Sequence, residues 1–476
     1  MNAPETLEKT RSISTDIPNH SRSDFSQARS SYIWGLLLIS AALLLAASAL
    51  FVSEELVLAF SMALASAIVI FRWPVVGLIG FIILNFIRPG DVVAGLDSLP
   101  LAKIIGGGTL LAVVLQHLRS RDFLFRYRVT YLLAAFTVII FASVPLSFWP
   151  TKAMEISLDF TKILLFFLIF INVVRDWKTL KIVSLTALFC ILILCYSTIA
   201  SYLSGSIRAA ASIGSGLFGD ANDMALVLVT AIPLAGYLLM GNGRIWLRRL
   251  SFWAATAFLV MGIVVTQSRG GLLGMIAALL FLFARGRNKI KAIISLAIIG
   301  LLMLVFLPSK IEERYRTIGE YEQDAASMNR LYAWRAGLDM MVSRPLYGVG
   351  IGCFETAFGT HFKPEGFNSN RWMAPHNTLV QVGAETGLIG LAIFIYLFGY
   401  CIFKLKRLCP AGTAAEIERI SSTRNIILAS LMGFAVSALF LTQALNYMLY
   451  FLIASTVCIH NINSHSAQKS EVPNRE

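Results

Sequence analysis

The sequence predicts an all-α membrane protein with 12–14 transmembrane helices, and three observations support this prediction. Of the 476 residues, 57% are hydrophobic and 14% are charged, whereas a soluble domain carries roughly 25% charged residues. Apolar runs of about 20 residues, the length that crosses a bilayer, recur along the chain. Because lipid offers the backbone no hydrogen-bond partners, these runs are predicted to be helices. The alternating segments of about ten residues that mark a membrane β-barrel are missing from the sequence.

The order of polar and apolar segments predicts the organisation of the chain. Residues 1–31 are rich in Ser and Arg, which is typical of a disordered tail, and the first apolar run starts too late for a cleaved signal peptide. The predicted domains are a cytoplasmic tail at 1–31, a helix bundle at 32–307, a large outer loop with short helices at 308–385, C-terminal helices at 386–461 and a cytoplasmic tail at 462–476. Spans are predicted near 33–52, 56–71, 74–87, 99–118, 129–148, 156–174, 181–203, 221–240, 250–266, 270–285, 290–307, 386–403, 424–441 and 446–461.

The distribution of basic residues predicts the orientation of these spans. With the N-terminus inside, the short inner loops carry clusters of Arg and Lys, while the short outer loops hold only Arg88, Lys152, Arg208 and Arg269. This asymmetry follows the positive-inside rule. It also accounts for the net charge of +13 without a nucleic-acid partner, and we expect none.

Several function classes are disfavoured by what the sequence lacks. The centres of the spans are nearly free of ionisable groups and no transporter-type repeat is found, which argues against a proton-driven carrier but leaves lipid or passive transport open. The six cysteines have no metal-ligand spacing. The two outer histidines, His361 and His376, are not accompanied by an HExxH motif or an acidic cluster. We therefore expect neither a metal nor a cofactor.

His376 is the strongest candidate for a catalytic group. It lies in Ala374-Pro375-His376-Asn377, just before an amphipathic stretch, and the proline suits a helix start at the membrane rim. A histidine at a fixed position there can act as a general base near neutral pH. The simpler alternative is a capping or hydrogen-bonded surface imidazole.

Two outer arginines are candidates for binding an anionic group. Arg269 lies in the short turn Gln267-Ser268-Arg269-Gly270-Gly271, which holds its guanidinium at headgroup depth, and the glycines would let a headgroup approach the backbone. The alternative is a snorkelling anchor. Arg208 is predicted on the same side, and two arginines at one rim suit bidentate binding of a diphosphate.

The long outer loop contains a helical pattern that starts at Asn329 and runs to about Met341. Arg330 and Trp334 share one face of it and would stack together or present a platform for a sugar. Arg335 and Asp339 have the i,i+4 spacing of a surface ion pair. The following glycines at 348, 350 and 352 neither come after a strand nor open a helix, so a nucleotide site is not predicted.

Four of these segments together resemble the O-antigen ligase and Wzy-type polymerase superfamily. They are Gly219-Asp220-Ala221-Asn222-Asp223-Met224-Ala225, Ser268-Arg269-Gly270-Gly271, the stretch from Arg330 through Trp334 and Pro345 to Gly352, and His376-Asn377 followed by Glu385-Thr386-Gly387-Leu388-Ile389-Gly390. Each motif alone is weak, but their order and shared outer placement make the set specific. The resemblance covers roughly residues 205–400.

The resemblance implies a GT-C-like, metal-independent glycosyltransferase in the bacterial inner membrane, with its active face in the periplasm. It would take an undecaprenyl-diphosphate-linked glycan as donor and a hydroxyl of the lipid A core of lipopolysaccharide, of a growing glycan or of a protein as acceptor. In such enzymes a periplasmic histidine deprotonates the acceptor, a role that falls on His376, and arginines bind the diphosphate, a role that falls on Arg269 and less directly on Arg208 and Arg330. The remaining candidates for contacts with the diphosphate or glycan are Arg335, Asn222, Trp334 and Asn377.

Several functions remain open at this point. The motifs do not separate a ligase from a polymerase of the same superfamily, and both act in surface polysaccharide biosynthesis. The alternatives from other classes are a polytopic transporter of lipid-linked glycans and a membrane scaffold without catalysis, which would tolerate the loss of both His376 and Arg269.

Overall fold

A computed structural model describes residues 64–88, 101–120, 127–206, 209–211, 219–240, 243–285, 325–367 and 370–471. The chain divides into two compact units, residues 1–68 and 69–476, and the fold described below is that of the second unit. Arg208 and the predicted spans near 33–52 and 290–307 lie outside the described residues.

The regular structure of the described residues is helical. The α-helices are α1 (Leu64–Arg72, which crosses the boundary between the units), α2 (Pro74–Ile87), α3 (Leu101–Ser120), α4 (Arg128–Ser143), α5 (Pro150–Val173), α6 (Trp177–Leu203), α7 (Ala221–Leu234), α8 (Ile245–Thr266), α9 (Arg269–Arg285), α10 (Ala325–Ser343), α11 (Phe354–Thr360), α12 (Thr378–Lys406), α13 (Ala414–Ala438) and α14 (Tyr447–Glu471). Short 3-10 turns extend α4 over Val144–Leu146 and α7 over Ala235–Leu239.

In the described part of the chain, seven helices are long and apolar enough to cross a membrane, or eight if α1 and α2 form one broken span. The seven segments are Leu101–Leu118, Arg128–Leu146, Pro150–Val173, Trp177–Leu203, Ala221–Leu239, Ile245–Thr266 and Thr378–Lys406. The predicted fold class, an all-α polytopic membrane protein, is confirmed. The total of 12–14 spans includes residues outside the description and stays a prediction.

Local sequence explains where many of the helices begin. Pro74 and Pro150 occupy the first turns of α2 and α5, where the missing N–H would have no partner in any case. Asp176 caps α6 by accepting a hydrogen bond from the backbone N–H of Thr179 over 2.9 Å. Helix α13 begins with a reciprocal capping box formed by Thr413 and Glu416.

Small residues let the central helices pack closely. Helix α7 is buried on all sides and contacts α8, α9 and α13. Helices α9 and α13 pack most tightly, because a Cβ atom added to Gly274 would lie 1.9 Å from Oγ of Ser437 and 2.8 Å from the carbonyl oxygen of Gly433. This close packing brings the starts of α7 and α9 to the same end of the bundle as the segment that follows α13.

Helix α12 is broken at Gly387, whose φ of 73° and ψ of −178° are not helical. The segment 345–353, here called the glycine loop, replaces the lost helical hydrogen bonds. The backbone N–H groups of Val349 and Gly350 donate to the carbonyls of Ala384 and Glu385 over 2.8 and 3.1 Å, and the N–H of Leu388 donates to the carbonyl of Pro345 over 2.7 Å. The span predicted from 386 corresponds to the second half of α12, and the first half, residues 378–386, precedes it as a separate short helix.

The described part of the predicted outer loop, residues 325–367 and 370–385, contains α10, α11 and the first half of α12. Helix α10 covers the helical pattern predicted from Asn329 to Met341. The glycine loop follows α10 and leads to α11, so the three glycines do not come after a strand.

Candidate functional site

Four helices begin at one end of the bundle, each at a polar side chain that accepts a hydrogen bond from its first turn. The caps of α7, α9, α12 and α14 are Asp220, Ser268, Asn377 and Asn446, respectively. These four helix starts and the segment 439–446, which joins α13 to α14, are here called the helix-start cluster. By the positive-inside rule, all four starts are predicted to lie on the outer side of the membrane.

Hydrogen bonds tie the helix-start cluster together. The hydroxyl of Ser268 donates to Oδ1 of Asn222 over 2.9 Å, which joins the starts of α9 and α7. The side-chain amide of Gln443 donates to the carboxylate of Asp223. The backbone N–H of Gln443 donates to Oγ1 of Thr378 over 3.1 Å, so α7 and α12 meet at this one residue.

His376 stands at the edge of the cluster in an unusual backbone conformation. Its φ of 43° lies in the left-handed region, which histidine adopts more often than most residues but still at a cost. The backbone N–H of His376 donates to Oγ1 of Thr442 over 3.1 Å, and the side chain is half-buried. The backbone of His376 is therefore held next to the segment 439–446.

The residues on both sides of His376 are also held. Asn377 caps α12 by accepting hydrogen bonds from the backbone N–H groups of two residues in its first turn. On the other side, the indole N–H of Trp334 donates to the carbonyl of Pro375 over 2.9 Å. Trp334 and Asn377, both predicted as glycan contacts, are thus seen here as neighbours that fix the backbone around His376.

Arg269 and Asn222 belong to the same cluster. Arg269 is the first residue of α9, directly after the cap Ser268, and its side chain is half-buried. Asn222 lies in the first turn of α7 and is 8% exposed. A Cβ atom on Gly271 would lie 2.6 Å from Cβ of Ala225, so packing against α7 requires a glycine here, and the approach of a headgroup to this backbone stays a prediction.

The other predicted arginines stand differently. Arg330 is half-buried on α10, one turn before Trp334. Arg335 is exposed, and the ion pair predicted for it is not formed: among the described residues, Lys162 and Asp159 are the acid–base pair that comes within 4.0 Å. The position of Arg208 is outside the described ranges, so its part in the site stays a prediction.

The helix starts and Arg269 contribute positive charge to the cluster. Each helix start carries roughly half a positive elementary charge, because its first N–H groups have no partner within the helix. Such ends bind phosphates and carboxylates. Arg269 adds a full positive charge at the start of α9, whereas Asp220 and Asp223 place two carboxyl groups at the start of α7. Among the described residues, His, Cys, Asp and Glu form no group of three or more that would hold a metal ion.

Sequence reasoning missed several polar residues of this end. Thr442 and Gln443 contact the motif residues although they lie more than 60 positions away in the chain. Gln381 and Glu385 are buried in the first half of α12, and Glu385 appears in a motif without a predicted role. The signal that was present for the others is the polar residues Thr442, Gln443 and Asn446 around the gap between the last two predicted spans.

Residues 254–395 match a protein family described as O-antigen ligase. This range contains α9, α10 and α11 with parts of α8 and α12. It therefore includes Arg269, Trp334 and His376, which the helix-start cluster and its neighbours bring to one end of the bundle.

Two curated proteins are similar to parts of the chain. A Rickettsia conorii protein is 24% identical over 180 residues, which are 36% of this chain and 43% of the relative. A Rickettsia felis protein is 25% identical over 140 residues, which are 28% of this chain and 34% of the relative. Both carry the provisional name polysaccharide ligase, and the chain spans less than half the length of each. Together with the family match, these similarities confirm that the chain is related to the O-antigen ligase superfamily.

Proposed function

We propose that the chain is a membrane glycosyltransferase of the O-antigen ligase type, which moves a glycan from undecaprenyl diphosphate to an acceptor hydroxyl. The reaction would take place at the periplasmic face of the bacterial inner membrane, in surface polysaccharide biosynthesis. The family match and the names of the two relatives support a ligase-type activity. The donor, the acceptor and the catalytic roles are parts of the proposal.

One observation carries the proposal furthest: four helix starts, Arg269 and His376 meet at one end of a membrane bundle. A polyprenyl chain would lie among the apolar helices, with its diphosphate at headgroup depth beside Arg269. The positive helix ends and the guanidinium would neutralise the charge that develops on the departing diphosphate. No nucleotide is needed, because the donor is already activated.

His376 supplies the proposed general base. Its neutral imidazole would accept the proton of the acceptor hydroxyl as the oxygen attacks the anomeric carbon. The bond between that carbon and the diphosphate oxygen breaks, the diphosphate leaves with the electron pair, and the anomeric centre is inverted. General-base assistance of this kind is typically worth 10²–10⁴-fold in rate.

The proposal is tested by replacing the chromosomal gene with variants and analysing glycans and lipids. His376→Ala should lower glycan transfer about 100-fold or more and cause the undecaprenyl-diphosphate-linked donor to accumulate. The matched control is His361→Ala. His361 is exposed, and its ring packs edge-on against the ring of Phe148 with 4.8 Å between the ring centroids. Normal glycan transfer by His376→Ala protein at wild-type abundance would contradict the proposal.

The same cells separate the alternatives. Loss of capped lipid A core with long glycans still attached to the lipid carrier indicates a ligase, whereas loss of long chains with single units still transferred indicates a polymerase. If the protein is instead a transporter of lipid-linked glycans, its loss would leave the donor on the cytoplasmic leaflet.

A further inference from the structure

The first half of α12 carries a buried carboxylate that the proposed reaction does not use. Glu385 is 3% exposed and lies two residues before the break at Gly387. It lies nine positions after His376, at the other end of the short helix formed by residues 378–386. A buried carboxylate is costly unless donors surround it, which makes its partners informative.

The donors around Glu385 come from two directions. The backbone N–H groups of Gly352, in the glycine loop, and of Phe354, the first residue of α11, point to its carboxylate. The side-chain amide of Gln381, one turn earlier in α12, donates to Oε2 of Glu385 over 3.4 Å. Lys152 is the basic residue whose charge acts on it.

The chain of contacts continues past Gln381 to the helix-start cluster. Oε1 of Gln381 accepts a hydrogen bond from the backbone N–H of Ala444 over 3.1 Å. Residue 444 lies in the segment 439–446, which also holds Thr442, the partner of the His376 backbone. Glu385 and Gln381 therefore connect the glycine loop on one side of the short helix to the segment 439–446 on the other.

The glycine loop is itself anchored to the other half of the bundle. The backbone N–H of Phe148, just after α4, donates to the carbonyl of Val349 over 3.0 Å. The backbone N–H of Ile351 donates to Oγ of Ser143 over 3.3 Å. The short helix that follows His376 is thus fixed between two parts of the bundle. The glycine loop ties one side of it to the end of α4, and Gln381 ties the other side to the segment 439–446.

We propose that Glu385 is a positioning residue for the transfer reaction, which acts by holding residues 378–386, and with them His376, at a fixed place relative to Arg269. Gln381 has the same positioning role, because it links Glu385 to Ala444. The inference rests on the proposed function, because it assigns Glu385 a part in placing the general base. Glu385 is not a catalytic residue in this account, since the glycine loop and Gln381 occupy its carboxylate.

The test uses the purified full-length protein in proteoliposomes. The probe is the undecaprenyl-diphosphate-linked glycan extracted from host membranes, with host lipids as acceptors. Glu385→Gln should lower kcat about 100-fold, the effect of a misplacement of roughly 1 Å, while KM for the donor stays within about two-fold. The matched control is Glu355→Gln, because Glu355 is an exposed carboxylate on α11 and should give wild-type values.

Two further variants keep the result interpretable. If Glu385→Gln does not fold, Gln381→Met removes the link to Ala444 and should give the same loss of kcat with unchanged KM. In a His376→Ala background, Glu385→Gln should lower the residual rate no further, because its effect passes through His376. Wild-type kcat per folded molecule, or a full loss in the His376→Ala background, would overturn the positioning role.

The two proposals fail in different ways. Full activity of His376→Ala alone contradicts the proposed function, whatever Glu385→Gln does. Loss of activity in His376→Ala with none in either Glu385→Gln or Gln381→Met leaves the proposed function standing and removes only the positioning role.

Discussion

At the scale of single residues, the site depends on how the backbone of His376 is held. A non-glycine residue with a φ of 43° costs of order 1–3 kcal/mol and persists only where its surroundings fix it. Thr442 and Trp334 supply these surroundings through hydrogen bonds to the backbone of His376 and of Pro375 before it. Asn377 fixes the start of the helix that follows by capping it. The same strain would let small changes in these neighbours alter the reaction.

Removal of the Thr442 hydroxyl tests this support. Thr442→Val leaves the backbone N–H of His376 without its partner, which costs about 1–3 kcal/mol when the group stays buried. We expect kcat for glycan transfer to fall roughly ten-fold or more. Thr137→Val is the control, because that hydroxyl bonds only to the carbonyl of Leu133 in its own helix. Equal kcat values for the two variants would show that Thr442 does not support the site.

Arg269 is predicted to act on the donor and not on the base. Arg269→Ala should raise the Kd for undecaprenyl diphosphate roughly 10- to 100-fold, the equivalent of a lost charge-assisted hydrogen bond. Arg285→Ala is the matched control, since Arg285 ends the same helix at the opposite end and lies over the ring of Phe281. Binding would be measured on the purified protein in detergent, and equal Kd values for both variants would remove Arg269 from the diphosphate site.

Motif residues could be found from the sequence because their signals are local. The helix start near His376 and the turn around Arg269 are each predicted from about five consecutive residues, although the helix begins at Thr378 and not at Pro375. Thr442 and Gln443 could not be found in this way, because their partners are brought to them only by the packing of α13 against α7 and α9.

At the scale of elements, the break in α12 is the feature that shapes the site. Its first half is packed inside the protein by Gln381, Glu385 and the glycine loop, whereas its second half is apolar and exposes Leu388 and Ile389. The hydropathy pattern therefore predicts the span from 386 and an amphipathic stretch before it, but not the break at Gly387. The break is held by contacts distant in sequence, which leave no periodic signal.

Gly387 should be intolerant of a side chain. Its backbone conformation is essentially restricted to glycine, and an added Cβ atom would lie 2.6 Å from the carbonyl oxygen of Pro345. Gly387→Ala should lower the thermal stability in detergent, with a loss of at least about 1–3 kcal/mol. Gly399→Ala is the control within the same helix, because no atom lies within 4 Å of its added Cβ, and it should be neutral or slightly stabilising. Similar melting temperatures for the two variants would contradict the role of the break.

At the scale of the whole molecule, the two ends of the bundle differ in character. One end carries the helix-start cluster, and the described basic residues Arg285 and Lys404 lie at the opposite ends of helices that begin there. Arg248 and Arg424 donate to the carbonyls of Leu239 and Leu408 over 3.0 Å each. The positive-inside rule predicts that the basic ends face the cytoplasm, and this orientation stays a prediction.

The cysteines provide a test of the orientation. All six lie in the described residues, where Cys409 is exposed and the other five are buried. Cys353, predicted in the outer loop, is among the buried ones, and burial also raises the pKa of its thiol, so it is a poor target for labelling. An impermeant maleimide should spare Cys409 in intact spheroplasts and react with it after permeabilisation.

An outer control completes that experiment. Glu355→Cys places a thiol on the exposed side of α11 and should react in intact spheroplasts. If Cys409 is labelled in intact cells and the thiol at residue 355 is not, the orientation is the opposite of the predicted one.

The central claim is that His376 activates the acceptor at a site where Arg269 and the helix starts bind the donor diphosphate. The most direct measurement is the release of undecaprenyl diphosphate by the purified protein in proteoliposomes, with kcat and KM for the donor determined separately. We expect His376→Ala to lower kcat about 10²–10⁴-fold with little change in KM, and Arg269→Ala to raise KM. Wild-type kcat in the His376→Ala variant would contradict it.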